Sequence, residues 1–305
     1  MSYDEFNEMI RSKLEDICGP EFSVSVLEAL KNNSKVYKGI SIKDKANRMA
    51  PTIYMDEFYT DYCDGRDMSE IVNEILRIYS ENRLGPDIET ERFSDFEWVR
   101  DRIFFKVVNA GKNKTLLQQV PFTLQLDLAV VYGVYMGDYR GSFSSVLIRN
   151  EHLKMWDADR ALINKLAMEN TPKLLPSGIW TMGDVLGEMG MTENVGSLDA
   201  PMYILSNQNR VNGAGVMFYD GVLQRFAERN GSDLYILPSS VHELILVPLS
   251  AAMKPKELKE LIAEVNDTQV AEEEILSYSL YEYRRDRGKV EIASAGEELK
   301  KEASA

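Results

Sequence analysis

The segment from Pro201 to Ser250 reads PMYILSNQNRVNGAGVMFYDGVLQRFAERNGSDLYILPSSVHELILVPLS. Two runs in its second half, 234–237 and 244–247, are apolar or aromatic at every position. Such runs are typical of strands that are covered on both faces, and the Pro-Ser-Ser stretch at 238–240 indicates a turn between them. We therefore predict a pair of adjacent strands in the interior of a sheet, and we interpret the rest of the chain around this pair.

The first half of the same segment predicts a hairpin followed by a helix. Residues 202–205 and 214–219 form two short apolar runs, separated by an Asn-rich stretch that ends in Gly213. Asn and Gly tolerate the left-handed conformations of a chain reversal, so we expect this bend to lie in solvent. Asp220 occupies the predicted N-cap of the helix, and Asn230-Gly231 indicates where it ends.

The composition is that of an acidic globular chain. Its 305 residues are 44% hydrophobic, which is ample for a packed core, and the formal net charge is −14 at pH 7. Nucleic acids and anionic membranes attract cationic surfaces, so we expect neither as a partner. The start is acidic and amphipathic, and no apolar window approaches the roughly eighteen residues of a membrane span. We therefore expect a soluble, cytoplasmic protein.

In the N-terminal part the pattern favours helices and one hairpin. We predict a helix at 3–17, a hairpin of 22–30 with 36–42, a helix at 54–62 and a helix capped by Asp67. Ser94 and Glu97 form a capping-box pattern before a further helix, whose buried face is Val99, Ile103, Phe104 and Val107. A polar stretch at 109–114 follows. We place a boundary there, between α+β regions at 1–110 and 111–292, and predict disorder at 293–305.

In the C-terminal region we predict a third hairpin, in which the β-prone run 122–136 pairs with 145–148. A helix begins at Asp157 or Asp159 and ends at 170–172, and 176–198 is a long, partly helical connection. Helices follow at Pro255 and at 270–283, before a short strand at 290–292. Because successive hairpins dominate, we predict an α+β fold with a mainly antiparallel sheet covered by helices.

A possible internal repeat links two of these hairpins. Residues 144–150 and 214–220 align with each other, and each stretch ends a predicted hairpin and precedes a predicted helix. Descent from a repeated ββα unit is one interpretation. The other is that a hairpin followed by a helix is simply a common way to cover a sheet.

Several segments, taken in order, carry a resemblance to a known family. They are KNNSKVYKGISI, APTIYMDEFYTDYCDGRDMSEIVNEI, MENTPKLLP, MYILSN, GAGVMFYDGVL, DLYILPSSVHELILVP and VNDTQVAEEEILSYSLYEY. Together they resemble the bacterial family known as domain of unknown function 5688, over about residues 4–292. The resemblance implies an intracellular protein of gut-dwelling Gram-positive bacteria with no established activity, and it transfers no catalytic residue. The central segment is also similar to a second uncharacterised bacterial family.

The candidate catalytic residues are His242 and the two serines that precede it, Ser239 and Ser240. A histidine near a hydroxyl and a carboxylate can act as a general base. Glu243 follows directly, but adjacent residues on a strand point to opposite faces, so we do not expect it to orient the ring. A zinc-protease motif would need a second histidine where Leu246 stands. The structural alternative is a turn histidine that bonds to neighbouring backbone.

The candidate binding residues lie on the predicted bend, and they are Asn207, Asn209, Arg210 and Asn212. Their side chains can offer several hydrogen bonds to a partner, although loop tips are also polar by default. Gly213 and Gly215 lack the Lys and Ser or Thr of a phosphate loop, and Cys18 and Cys63 are too few for a zinc finger. The acidic residues at 56, 57, 61 and 64 lack the spacing of a calcium loop. We expect no cofactor and no metal.

These features favour a non-enzymatic protein that binds another protein or a small ligand through loops on the sheet. The alternative is a hydrolase-type enzyme that uses His242 with Ser239 or Ser240 and with carboxylates assembled by the fold. His152, at a predicted helix start, is expected to have a structural role. The sequence leaves open whether the protein is an enzyme.

Overall fold

A computed structural model describes residues 1–44, 50, 52–82, 90–139, 142–188, 190, 201–251 and 253–293. The chain divides into two compact units, Met1–Phe93 and Ser94–Ala305. The boundary expected after residue 110 falls inside the second unit, between two strands that pair with each other, Ile103–Asn109 and Leu128–Tyr139. Beyond Ala293, the segment expected to be disordered lies outside the described residues.

The first unit combines an antiparallel three-stranded sheet, in the order β1-β2-β3, with three helices among its described residues. Its elements are α1 (Tyr3–Cys18), β1 (Phe22–Leu30), β2 (Val36–Asp44), β3 (Thr52–Tyr54), α2 (Asp56–Cys63) and α3 (Met68–Asn82). The predicted first helix, first hairpin and Asp67-capped helix are confirmed. Sheet and helices share one apolar core, with Phe6, Ile10, Ile40, Ile42, Ile71 and Ile75 at its centre.

The second unit contains two antiparallel sheets in its described part. Its strands are β4 (Ile103–Asn109), β5 (Phe122–Gln125), β6 (Leu128–Tyr139), β7 (Ser142–Leu147), β8 (Ser177–Thr181), β9 (Tyr203–Asn207), β10 (Leu234–Pro238), β11 (Leu244–Pro248), β12 (Tyr281–Arg284) and β13 (Lys289–Ile292). β6 pairs with β4, β5 and β7, and the larger sheet has the order β13-β12-β10-β11-β9-β8. The α+β class with antiparallel pairing is confirmed.

Helices cover these sheets, as predicted. They are α4 (Phe96–Val99), α5 (Lys114–Leu117), α6 (Asn150–Met155), α7 (Arg160–Leu174), α8 (Met182–Glu188), α9 (Val222–Arg229) and α10 (Pro255–Thr268). α10 begins at Pro255, and its Leu258 and Ile262 pack with Leu237 and Val247 of the larger sheet in one apolar cluster. α7 includes Pro172, two residues before its last residue Leu174, so it extends past the predicted end.

The predicted interior strand pair is confirmed. β10 and β11 pair antiparallel from Leu234 opposite Pro248 to Pro238 opposite Leu244, in the middle of the larger sheet. Ile236 on one face of β10 is fully buried, and Leu237 on the other face is 2% exposed, so both faces of the strand are covered. The interior position of β10 and β11 therefore explains why residues 234–237 and 244–247 are all apolar or aromatic.

The hairpin predicted from 202–205 and 214–219 is wrong. β9 does form at Tyr203–Asn207, but its two neighbours are β8 and β11. Residues Gly213–Phe218 form a 3-10 helix instead of a returning strand, because both edges of β9 are already occupied. β8 and α8 lie in the stretch predicted to be a partly helical connection: α8 agrees with that prediction, whereas the strand β8 was not predicted. The proposed repeat is not present, since 144–147 belongs to strand β7 and 214–218 is helical.

Two stretches predicted to be helical contain strands. The stretch from Ile103 to Asn109 pairs along its length with β6, and the α-helix before it is confined to Phe96–Val99, with Asp95 rather than Ser94 as its cap. Tyr281–Arg284 is strand β12, in which Tyr281 and Tyr283 are buried and alternate with less buried residues. β-branched and aromatic residues fit a paired, half-buried strand better than a helix. Tertiary pairing therefore overrides the helical spacing.

The start of α9 also differs from prediction. Its N-cap is Gly221, with a left-handed φ of 67°, and no side chain caps the helix, so Asp220 does not have the predicted role. Its end is as predicted, because Gly231 has a φ of 64°.

A single carboxylate joins the two sheets of the second unit. Asp127, in the turn between β5 and β6, accepts a hydrogen bond from the Tyr281 hydroxyl at Oδ1 (2.7 Å). Its Oδ2 accepts from the hydroxyls of Ser277 (2.6 Å) and Ser279 (3.0 Å). Burial, together with the charge of Asp127, raises the pKa of Tyr281 above its ordinary value, so the phenol remains a donor. The carboxylate thus links the smaller sheet to the start of β12.

We expect Asp127→Ala to lower the free energy of unfolding by about 2–3 kcal/mol, because three hydroxyls lose a charged acceptor and Tyr281 is buried. Chemical denaturation of the purified chain measures this change. The control is Glu169→Ala, an exposed acid on α7, for which no change is expected. Equal stability of the two variants would contradict the proposed role of the carboxylate.

Candidate functional site

The turn between β10 and β11, residues 239–243, is closed by its own hydrogen bonds, and we call it the His242 turn. The Ser240 N–H donates to the Glu243 carbonyl (3.2 Å), and the His242 N–H donates to Ser240 Oγ (3.0 Å). The Val241 N–H donates to the carbonyl of Glu274 (2.8 Å). These bonds hold the turn in place, so the fold determines where the His242 side chain lies.

The 3-10 helix at 213–218 packs its backbone against the His242 turn. The Ala214 N–H donates to the Val241 carbonyl (3.2 Å), and Ser206 Oγ donates to the His242 carbonyl (2.6 Å). A Cβ on Gly213 would lie 2.0 Å from Ser206 Oγ and 2.5 Å from the same His242 oxygen. Gly213 therefore permits a close approach of two backbone segments rather than a hairpin reversal.

The His242 ring lies between a backbone amide and a carboxylate. Its Nδ1 accepts a hydrogen bond from the Asn212 N–H (3.1 Å), and Asn212 itself has a left-handed φ of 52°. Its Nε2 lies 3.4 Å from Oε1 of Glu274. Because Nδ1 is an acceptor, the neutral ring carries its proton on Nε2, beside the Glu274 carboxylate. Both ring nitrogens thus have neighbours supplied by distant parts of the chain.

The two serines lie in the same turn as His242, but they do not contact its ring. Ser240 is buried, and its hydroxyl accepts from the backbone N–H of His242. Within the described residues no hydrogen bond joins a ring nitrogen of His242 to Ser239 or Ser240. A general base has to reach the proton that it removes, at about 3 Å between heavy atoms. The observed contacts are those of a histidine that supports the turn.

Glu274 is the residue of this site that the sequence did not reveal. It belongs to the acidic run Glu272–Glu274, a short 3-10 helix in a stretch predicted to be one long helix. Its backbone carbonyl and its carboxylate both face the His242 turn. No local spacing relates residue 274 to residue 242, so only the tertiary structure brings them together.

Asn207, the first of the predicted binding residues, is part of the structural core of its loop. It is 1% exposed, so the expectation that the whole bend lies in solvent is wrong at this position. Its Nδ2 donates to the Val211 carbonyl (2.8 Å), and its Oδ1 accepts from the Val211 N–H (3.3 Å). The Arg210 N–H donates to the Asn207 carbonyl (3.0 Å). Asn207 therefore closes the loop and is not available to a partner.

The tip of this loop is accessible and lies beside strand β8. Gln208 and Asn209 are exposed, and the Arg210 guanidinium lies over the Trp180 ring, 4.8 Å from the ring centroid. One terminal nitrogen of Arg210 is 2.9 Å from Oε2 of Glu188. We call these five residues the Trp180–Arg210 surface. Asn212, the fourth predicted binding residue, instead contributes its backbone amide to His242.

Other residues that the sequence singled out have structural contacts. His152 accepts a hydrogen bond from the Arg149 N–H at Nδ1 (3.0 Å), and its ring lies 5.6 Å from that of Trp156. Burial lowers the pKa of His152, so its neutral form is favoured. In the first unit, Tyr59 and Tyr62 pack on Phe6, with ring centroids 5.4 Å and 5.3 Å away. The structural role expected of His152 agrees with its contacts.

Among the described residues, no group of three or more His, Cys, Asp or Glu side chains is arranged to hold a metal ion. None of the helices in that part of the chain has both the length and the apolar composition needed to cross a bilayer.

Comparisons with known proteins give one match. Residues 3–285 match a family described as a family of unknown function, DUF5688. No curated protein and no solved structure matches the chain.

We expect Gly213→Ala to lower the free energy of unfolding by about 1–3 kcal/mol, because the added methyl overlaps Ser206 Oγ and the His242 carbonyl. The control is Gly187→Ala on α8, where no atom lies within 4 Å of the new Cβ and a small gain in stability is expected. Thermal unfolding of both variants measures the difference. A Gly213 variant as stable as the parent would show that this close approach is not required.

Proposed function

The chain belongs to the family of unknown function DUF5688, and we propose that it is a non-enzymatic binding protein of the cytoplasm. Its partner is a protein or a small ligand, and the Trp180–Arg210 surface is the proposed contact. The observation that carries this proposal is the loop of residues 207–211, whose buried base is closed by the Asn207 side chain while its tip is accessible.

The structure of this loop supports binding because the loop is already ordered and needs little further ordering when a partner binds. Besides the two Asn207 bonds, the Gln208 N–H donates to the Pro176 carbonyl (2.8 Å), which ties the loop to the start of β8. The Trp180 ring lies across Gly178, where a Cβ would come within 2.2 Å of the ring. A surface held in its bound geometry loses less conformational entropy on association.

The chemistry of the tip also suits recognition. Within the described residues, Nε and one terminal nitrogen of Arg210 and the side chain of Asn209 have no hydrogen-bond partner. They can therefore donate to and accept from a partner that approaches the exposed loop. Arg and Trp are the residue types that most often dominate binding energies at interfaces, and here they stack on each other.

The hydrolase alternative has weaker support. It needs a free ring nitrogen on His242 beside a serine hydroxyl, whereas Nδ1 accepts the Asn212 amide and Nε2 faces Glu274. The His242–Glu274 contact resembles the base and carboxylate of a catalytic group, but no serine hydroxyl of the described residues hydrogen-bonds to the His242 ring.

The test replaces the exposed residues and leaves Asn207 unchanged. We expect the double variant Asn209→Ala and Arg210→Ala to keep the thermal stability of the parent chain, because both side chains are accessible. The immobilised variant should lose the molecules that the parent retains from an extract of the source organism, as identified by mass spectrometry.

A matched control removes one amide and one ion-paired arginine elsewhere in the same unit. It is Gln125→Ala with Arg100→Ala, where Gln125 is exposed and Arg100 pairs with Glu97 much as Arg210 pairs with Glu188. This control should retain the same molecules as the parent. The proposal fails if the parent retains nothing, or if both double variants retain the same set. Loss of binding in His242→Ala alone would instead favour the alternative site.

A further inference from the structure

A charged cleft lies at the opposite edge of the larger sheet from the Trp180–Arg210 surface. It has a volume of about 600 Å³, in the range of small-ligand sites, and all of the residues that line it are ionisable. They are Glu228, Asp233, Arg284, Arg285, Asp286 and Arg287. Three of these side chains are cationic and three are anionic, so the cleft combines both signs of charge.

The turn between β12 and β13 supplies the cationic side of the cleft. Its sequence, RRDRGK at 284–289, places four basic residues within a chain whose net charge is −14. The Gly288 N–H donates to the Arg284 carbonyl (2.9 Å), and Gly288 has a left-handed φ of 64°. This tight turn brings the three arginines to one end of the strand pair.

Asp233 holds two of these arginines in position. Its Oδ1 accepts from the backbone N–H (3.2 Å) and from Nε (3.0 Å) of Arg285, and its Oδ2 lies 3.6 Å from a terminal nitrogen of Arg284. Burial by itself raises the pKa of Asp233, but the hydrogen bonds and charges of Arg285 and Arg284 outweigh it and lower that pKa below its ordinary value. Asp233 is therefore ionised at neutral pH and acts as an internal anchor.

Donors and acceptors remain on both sides of the cleft. Arg285 uses only its Nε, so within the described residues its two terminal nitrogens have no hydrogen-bond partner. On the anionic side, the Asp286 carboxylate accepts no hydrogen bond from the described residues. Glu228 accepts only from the side chain of Gln224 there, at 2.9 Å. A guanidinium with two free terminal nitrogens can bind a carboxylate through two parallel hydrogen bonds.

From this juxtaposition we propose that the cleft binds a small zwitterion, a free amino acid or a short peptide with one carboxylate and one ammonium group. The carboxylate contacts the two terminal nitrogens of Arg285, because Arg287 already pairs with Glu291 through one of its own terminal nitrogens (2.5 Å). The ammonium group contacts Asp286 and Glu228. A phosphate or another polyanion fits less well, because its charge meets the carboxylates of Asp286 and Glu228 in the same cleft. An apolar ligand finds no apolar side chain in the lining.

The test is isothermal titration calorimetry of the full chain with L-alanine and with the dipeptide Ala-Ala. Two capped forms, N-acetyl-Ala-Ala and Ala-Ala amide, each lack one of the two charges. We expect at least one free zwitterion to bind, and each capped dipeptide to bind about tenfold more weakly than Ala-Ala, since each loses a charge-assisted contact. Inorganic phosphate is the competing probe. The proposal is overturned if phosphate binds more tightly than either zwitterion. It is also overturned if neither L-alanine nor Ala-Ala binds at ligand concentrations of tens of millimolar.

Variants assign the two ends of the ligand. Arg285→Gln should weaken the binding of Ala-Ala about tenfold or more. The control is Arg229→Gln, which replaces an exposed arginine of α9 outside the lining and should leave that affinity unchanged. Asp286→Asn removes a carboxylate that makes no hydrogen bond to the described residues, so it keeps the fold while weakening Ala-Ala. The affinity for N-acetyl-Ala-Ala should stay unchanged, because that form has no ammonium group to contact Asp286. If Asp286→Asn lowers the affinities for Ala-Ala and N-acetyl-Ala-Ala equally, Asp286 does not contact the ammonium group.

The cleft shares no residue with the Trp180–Arg210 surface, so the two proposals can be tested independently. The double variant Asn209→Ala and Arg210→Ala should bind Ala-Ala as the parent does. If that variant loses the dipeptide as well, the cleft is not the site.

Discussion

The carboxylate of Asp127 is the constraint on which the second unit depends. By accepting hydrogen bonds from Ser277, Ser279 and Tyr281, it anchors the chain between the last helix and β12 to the smaller sheet. On one side of this anchored stretch stands Glu274, which supports the His242 turn. On the other side β12 continues into the arginine-rich turn. Three hydrogen bonds to one carboxylate thus help to position two separate parts of the surface.

The His242 turn illustrates how chemically capable residues can be used for structure. Imidazole and hydroxyl groups lie within a few residues of each other, and the distant Glu274 adds a carboxylate beside Nε2 of His242. Yet Nδ1 of His242 and the Ser240 hydroxyl are both taken up by backbone amides. Buried backbone amides and carbonyls need partners, and three chain segments cross here without regular strand pairing. Side chains with both donors and acceptors satisfy that need, which accounts for a histidine and serines at a junction of loops.

Much of the architecture followed from local patterns, and the failures have a common cause. The interior pair β10 and β11, the hairpin of β1 with β2 and the start of α10 at Pro255 were all recognisable from apolar runs, turn residues and caps. The segment Ile103–Asn109 was assigned to a helix because its apolar residues also fit a helical period, and Tyr281 and Tyr283 were assigned to the end of a helix that was predicted to begin at residue 270. In each case pairing with a distant strand decided the conformation, and such pairing cannot be recognised from a short stretch of sequence.

The sequence by itself determined the class of the fold, the two strands at its centre and the residues of a polar loop tip, because periodicity, capping and turn chemistry are local. The tertiary structure decided which of those residues are accessible: it buried Asn207, committed Asn212 to His242 and left Arg210 stacked on Trp180. It also brought Glu274 to His242 and Asp233 to Arg285, residues far apart in the chain. Contacts between distant residues depend on how all the elements pack together, so no single segment encodes them.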